Sequence, residues 1–141
     1  MVNDVIDGIS NALYENFEGV EIRSEGIEQG YVEPSFFIEC VSTTEIPLLG
    51  DRAYRSMLFD VHYFPSSEHE ENKELQTVAS MLYKVLRRIT LLDGDMLNGL
   101  RLNHKITDGV LHFFVEYKPT IFYVGDKPSM QEDLRYKVGV E

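Results

Sequence analysis

Histidine, cysteine and carboxylate side chains are the ones most able to do chemistry. This chain holds four histidines and one cysteine among 24 Asp and Glu residues. His104 and His112 both lie in RLNHKITDGVLHFFVEY, residues 101–117. With a carboxylate, such a pair could hold a metal ion or pass a proton. His62 follows Asp60 by two residues in FDVHY, which puts both side chains on one face of a strand. That pair could form an ion contact or part of a metal site, although the sequence identifies no third partner. A small metal-dependent hydrolase using Asp60 and His62 is the enzyme reading it allows. His69 stands beside Glu68, Glu70 and Glu71. On a helix these side chains fan out around the axis, and acids suit the positive end of a helix dipole. The chain has no HExxH, CxxC, G-x-S-x-G or Gly-rich phosphate loop.

The turn decides whether His104 and His112 meet. Asp108-Gly109 between alternating hydrophobics predicts a type I′ hairpin, whose two central residues both need positive φ. The register then sets Thr107 opposite Val110, Ile106 opposite Leu111, His104 opposite Phe113 and Leu102 opposite Val115. Leu100, Leu102, Ile106, Leu111, Phe113, Val115 and Tyr117 share the buried face, and His104 lies on that side. His112 points away, opposite Lys105. A slip of one residue would pair His104 with His112 but would scatter the apolar residues over both faces. The two histidines are therefore read as parts of a hairpin. No catalytic, cofactor-binding or metal-binding residue is expected. Cys40, in the apolar run SFFIECV, is expected to be a buried, inert thiol. A single cysteine forms no internal disulfide and fits a reducing cytosol.

These residues need elements to carry them. VNDVIDGISNALYENFEG has Val5, Ile6, Ile9, Leu13 and Phe17 at helical spacing, with Asn3 as N-cap and Gly19 as stop. Gly8 inside that helix costs about 1 kcal/mol against Ala, so the helix must rely on packing. Strands are predicted at 20–24, 34–42 and 52–64. The last puts Met57, Phe59, Val61 and Tyr63 on one face and Ser56, Leu58, Asp60 and His62 on the other. A long helix is predicted from about Ser67 to Thr90. Ser67 and Glu70 stand at capping-box spacing, and Arg87 and Arg88 fall in its last turn. Leu75, Val78, Leu82, Val85, Leu86 and Ile89 form its apolar stripe. Residues 43–53, TTEIPLLGDRA, read as a long connection with an apolar tip, Ile46, Pro47, Leu48 and Leu49.

The chain has 141 residues, a usual size for one domain. No apolar run approaches the roughly 18–20 residues that a helical membrane span needs, so no membrane partner is expected. The opening MVNDVIDGIS lacks the basic n-region of a signal peptide. Formal net charge is −11, and it is unevenly placed. Residues 1–51 hold eleven acids and one base, Arg23, whereas the rest of the chain is nearly balanced. Such a chain is a poor sequence-independent DNA binder, which needs clustered Lys and Arg. The acidic first third suits a solvated face, a surface that repels polyanions or one that meets a basic partner.

Three stretches, EGIEQGYVEPSFFIECV, RAYRSMLFDVHYFP and LNHKITDGVLHFFVEY, resemble the small tail terminator (tail completion) proteins of bacteriophages and phage-derived particles from Gram-positive bacteria. The likeness covers residues 1 to about 124. It implies an α+β fold, a small, largely antiparallel sheet with two helices packed on it, and a C-terminal extension over 125–141. It further implies a structural virion protein without cofactor or catalytic residues. Such proteins form a ring, expected to be hexameric, that caps the head-proximal end of the tail tube, ends its growth and offers the joining surface. The implied partners are other copies of the chain, the tail tube protein, and sheath or head–tail connector proteins. DNA passes through without specific binding. The place implied is the virion tail of a phage or tail-like particle, after synthesis in the bacterial cytoplasm. Rival readings are a head–tail connector or adaptor and an acidic inhibitor that mimics nucleic acid. Ile46, Pro47, Leu48 and Leu49 are the expected assembly contact. Glu25, Glu28 and Glu33 are the expected electrostatic surface.

Overall fold

A computed structural model describes residues 1–25, 32–66 and 69–124, and the backbone of 127–130. The elements run α1 (Val2–Asn16), β1 (Glu21–Arg23), β2 (Ser35–Pro47), β3 (Arg52–Phe64), α2 (Glu71–Val85), β4 (Arg88–Thr90), β5 (Met96–Asn98), β6 (Leu100–Thr107), β7 (Val110–Tyr117), β8 (Thr120–Val124) and β9 (Lys127–Met130). The main sheet is ordered β1-β2-β3-β7-β6; only β1 and β2 pair in parallel. β8 pairs with β3 in the register that β7 already set, so β7 and β8 act as one strand interrupted at Lys118 and Pro119. The result is the α+β fold expected, a mostly antiparallel sheet with two helices.

Both helices lie on one face of this sheet, because alternation sends the apolar residues there. Phe36, Ile38, Met57, Phe59, Val61, Tyr63, Leu111, Phe113, Val115 and Tyr117 meet Val5, Ile9 and Leu13 of α1 and Leu75, Val78 and Leu82 of α2 in one buried core. The opposite face carries Phe37, Glu39, Leu58, Asp60, His62, Phe64, His112, Phe114 and Glu116 in the same strands. No helix covers that face among the described residues.

Close approaches fix the helices in place. Gly8 of α1 sits where a Cβ would lie 3.0 Å from Leu91, 3.3 Å from Ile89 and 3.4 Å from the Thr90 carbonyl. The missing side chain lets β4 and the loop after it dock on α1. At the end of α2, the Tyr117 hydroxyl donates to the Leu86 carbonyl (2.7 Å) and the Gly99 N–H to the Arg87 carbonyl (2.7 Å). These bonds satisfy carbonyls that the helix leaves behind.

Several sequence expectations change. Asn3 lies inside α1, whose N-cap is Met1. The long helix spans only Glu71–Val85, with Glu70 at its N-cap position; Ser67 and Glu68, and with them the expected capping box, lie outside the described residues. Arg88 and Ile89 belong to a separate two-stranded sheet with β5, and Ile89 still reaches the core. Residues 43–53 are not a long connection. β2 and β3 pair all the way from Pro47 and Ala53, leaving a turn over residues 48–51. The hairpin at Asp108-Gly109 has positive φ at both residues (53° and 74°) and the expected register from Thr107 to His104. Beyond that a bulge between Leu100 and Asn103, with Arg101 at φ 53°, breaks the regular register around Leu102, and Leu100 is 39% exposed. Cys40 packs against the core but is only half-buried.

Candidate functional site

The assembly contact expected at Ile46–Leu49 lies at the end of a stiff arm. β2 and β3 continue past the helices, and β8 and β9 extend the arm on the far side of β3. A bulge at Val41 marks where β2 leaves the core, and every residue from Val41 to Pro47 is exposed. Ile46 is paired with Tyr54 and 44% exposed; Leu49, in the turn, is 85% exposed. Leu48 is half-buried, and its N–H donates to the Arg52 carbonyl (2.9 Å). β1 pairs only with Ser35–Phe37 of β2, so the edge of β2 from Glu39 to Pro47 has no partner strand among the described residues.

A polar lock across three strands keeps the arm straight. Arg55 of β3 donates to Glu45 of β2 from Nε (3.0 Å) and Nη2 (2.6 Å). The Tyr123 hydroxyl of β8 donates to the other oxygen of Glu45 (2.6 Å) and accepts from Arg55 (3.2 Å). The Tyr123 bond and the Arg55 guanidinium hold the Glu45 carboxyl below its ordinary range. The same carboxylate raises the Tyr123 phenol and the Arg55 guanidinium.

Of the electrostatic residues, Glu25 and Glu33 are exposed, at the ends of the described segments that flank residues 26–31. Glu28 lies outside the described residues.

The histidines resolve differently from the expectation. His104 stays on the core side, with Nδ1 2.8 Å from the Tyr83 hydroxyl of α2. His112 points to the opposite face, as expected, but there it meets His62 directly across β3 and β7. Asp60 Oδ2 lies 3.2 Å from His62 Nε2 and 3.0 Å from His112 Nδ1. The third partner that the sequence could not supply for Asp60 and His62 is therefore His112. Glu39, paired with Asp60 on β2, brings Oε1 within 3.2 Å of His62 Nε2. Sequence reasoning compared His104 with His112 because a turn joins their strands. The pairing of β3 with β7 skips α2, β4, β5 and β6, and no local signal announces it. A second polar cluster on this face joins Glu116 to the Ser56 hydroxyl and to Arg101 Nε (3.1 Å).

A sequence model described as phage tail terminator protein matches residues 4–130. The chain belongs to the phage tail terminator family. Comparison with curated proteins gives no significant match. Membership makes the chain a structural component of the virion tail that contacts other tail components. The match runs past Val124 and takes in β8 and β9, the strands that back the arm of this tail terminator.

Proposed function

We propose that copies of this chain assemble into a ring, expected to be a hexamer, on the head-proximal end of a phage tail tube. The ring stops tube growth and presents the surface at which the tail is joined. The observation that carries this reading is the arm: a locked β-hairpin ending in exposed Ile46, Pro47 and Leu49, with one edge of β2 unpaired among the described residues. A protruding apolar tip is costly in water and useful at a subunit contact. An open strand edge can take a neighbour's strand through main-chain hydrogen bonds. Because the turn is tight and braced by β8, docking it loses little conformational entropy. The body over 1–124 serves as the ring subunit, and 125–141, whose residues 127–130 pair with β8 of the same chain, as an extension that reaches on to a neighbour. The acidic first third, with Glu25, Glu28 and Glu33, faces the path of DNA and keeps it from sticking.

Leu49→Asp tests the reading. The side chain is 85% exposed, so the isolated subunit should keep its stability within about 0.5 kcal/mol. Ring formation, followed by light scattering and by capping of tail tubes, should be lost. Normal rings from Leu49→Asp would move the contact off the arm, and a subunit that unfolds would show Leu49 to be core.

A further inference from the structure

We propose that Asp60, His62 and His112, with Glu39, form a binding site for a divalent transition-metal ion of the zinc class on the open face of the sheet. The inference rests on the geometry of these side chains and on no part of the assembly reading. Carboxylate and imidazole are the donors such ions take in proteins. One ligand atom from each of Asp60, His62 and His112 lies within 4.8 Å of the others. Metal–nitrogen bonds of about 2.0–2.1 Å place the donor atoms of a tetrahedron roughly 3.3 Å apart. The separations of 3.2 and 3.0 Å from Asp60 Oδ2 to the two imidazole nitrogens are close to that edge, and the third edge, between the two nitrogens, lies within 4.8 Å and would tighten on binding. Glu39 Oε1 lies 3.2 Å from His62 Nε2, at the border of this three-residue set.

The state of Asp60 gives an independent argument. Only 7% of this residue is exposed, and its Oδ1 is buried without a hydrogen-bond partner. A buried carboxylate is costly unless its charge and its lone pairs are met. Two imidazoles on Oδ2 leave Oδ1 unmet, whereas a cation between the three groups answers the charge and, bound by both carboxylate oxygens, Oδ1 as well. The donors come from β2, β3 and β7, neighbouring strands whose register is fixed by the sheet, so the site needs no loop to close over it. The rings of Phe37 and Phe64 lie beside His62, and Phe114 stacks on His112, holding both imidazoles in orientation. Three protein donors, with Glu39 beside them as a candidate fourth, would make a clip across these strands.

Zinc titration of the full chain by calorimetry and by histidine-ring NMR tests this. One zinc ion per chain should bind, shifting the ring signals of His62 and His112 and leaving those of His69 and His104 in place. Asp60→Asn and His112→Gln should each weaken binding by at least about 100-fold, since even losing an outer partner of a metal ligand costs 10–100-fold. Glu39→Gln should cost less than either. His104→Gln should bind as the parent does. The ring-signal pattern is read on the unsubstituted chain, so it stands even if a substitution disturbs folding. Absence of stoichiometric binding, shifts at His69 or His104, or equal weakening by His104→Gln would overturn the site.

Discussion

Phe113→Ala is the sharpest test of the hairpin that carries the histidines. Phe113 is fully buried at the middle of β7, opposite Val61 on one side and His104 on the other. Its ring meets Tyr83 edge-on at a centroid distance of 4.8 Å. Truncation to Ala removes roughly 100 Å² of buried apolar surface, about 2.5 kcal/mol at the usual transfer coefficient. The cavity and the lost aromatic contact add about 1–2 kcal/mol more, because the sheet cannot collapse into the gap. The expected cost is therefore about 3–5 kcal/mol. Phe114, the next residue, is only half-buried on the open face, and its truncation should cost clearly less. Urea melts of dilute, monomeric protein, with the slope held constant, give both numbers. Equal costs, or a larger cost at Phe114, would mean that the faces of β7 are reversed and that the whole placement of His104 and His112 is wrong.

Gly99→Ala should destabilise by about 1–3 kcal/mol, because the new Cβ would fall 2.7 Å from the Leu86 carbonyl and 3.0 Å from Val115; thermal melts would show it, and an unchanged melting temperature would refute that close approach. The Glu45 carboxyl, held low by Tyr123 and Arg55, adds stability above its unfolded-state pKa and loses it as pH falls through its lower folded-state value. Acidification through that lowered value should thus loosen the arm, and Tyr123→Phe should move the Glu45 titration upward in side-chain carbon NMR; an unmoved midpoint would contradict the lock. Replacing Glu25, Glu28 and Glu33 together with Lys should leave the fold intact and create salt-sensitive retention on DNA, and unchanged retention would reduce that acidity to solvation.

The parts of this fold that were legible from sequence are those with a local cause. Asp108-Gly109 announced its turn because few residues accept positive φ at two successive positions. The strand 52–64 was readable because one face is buried and the alternation is clean. The arm is not legible for the complementary reason. Thr43, Thr44, Glu45 and Ile46 are exposed on both faces, so no period of two appears in them. The end of α2 is not legible because Leu86 and Ile89 face the core whether the chain stays helical or turns into β4, and the apolar stripe cannot tell the two apart. The cluster of Asp60, His62 and His112 was out of reach because it depends on which strand lies next to β3. That is set by packing of the whole sheet, not by any neighbouring turn.

Electron microscopy of tail tubes assembled with and without this protein tests the central claim most directly. The expected result is a six-fold ring of this chain on one end of tubes that have stopped growing, with residues 46–49 of each subunit buried against the next. Tubes that stop at the same length without the protein, or a ring in which the arm projects into solvent, would contradict it.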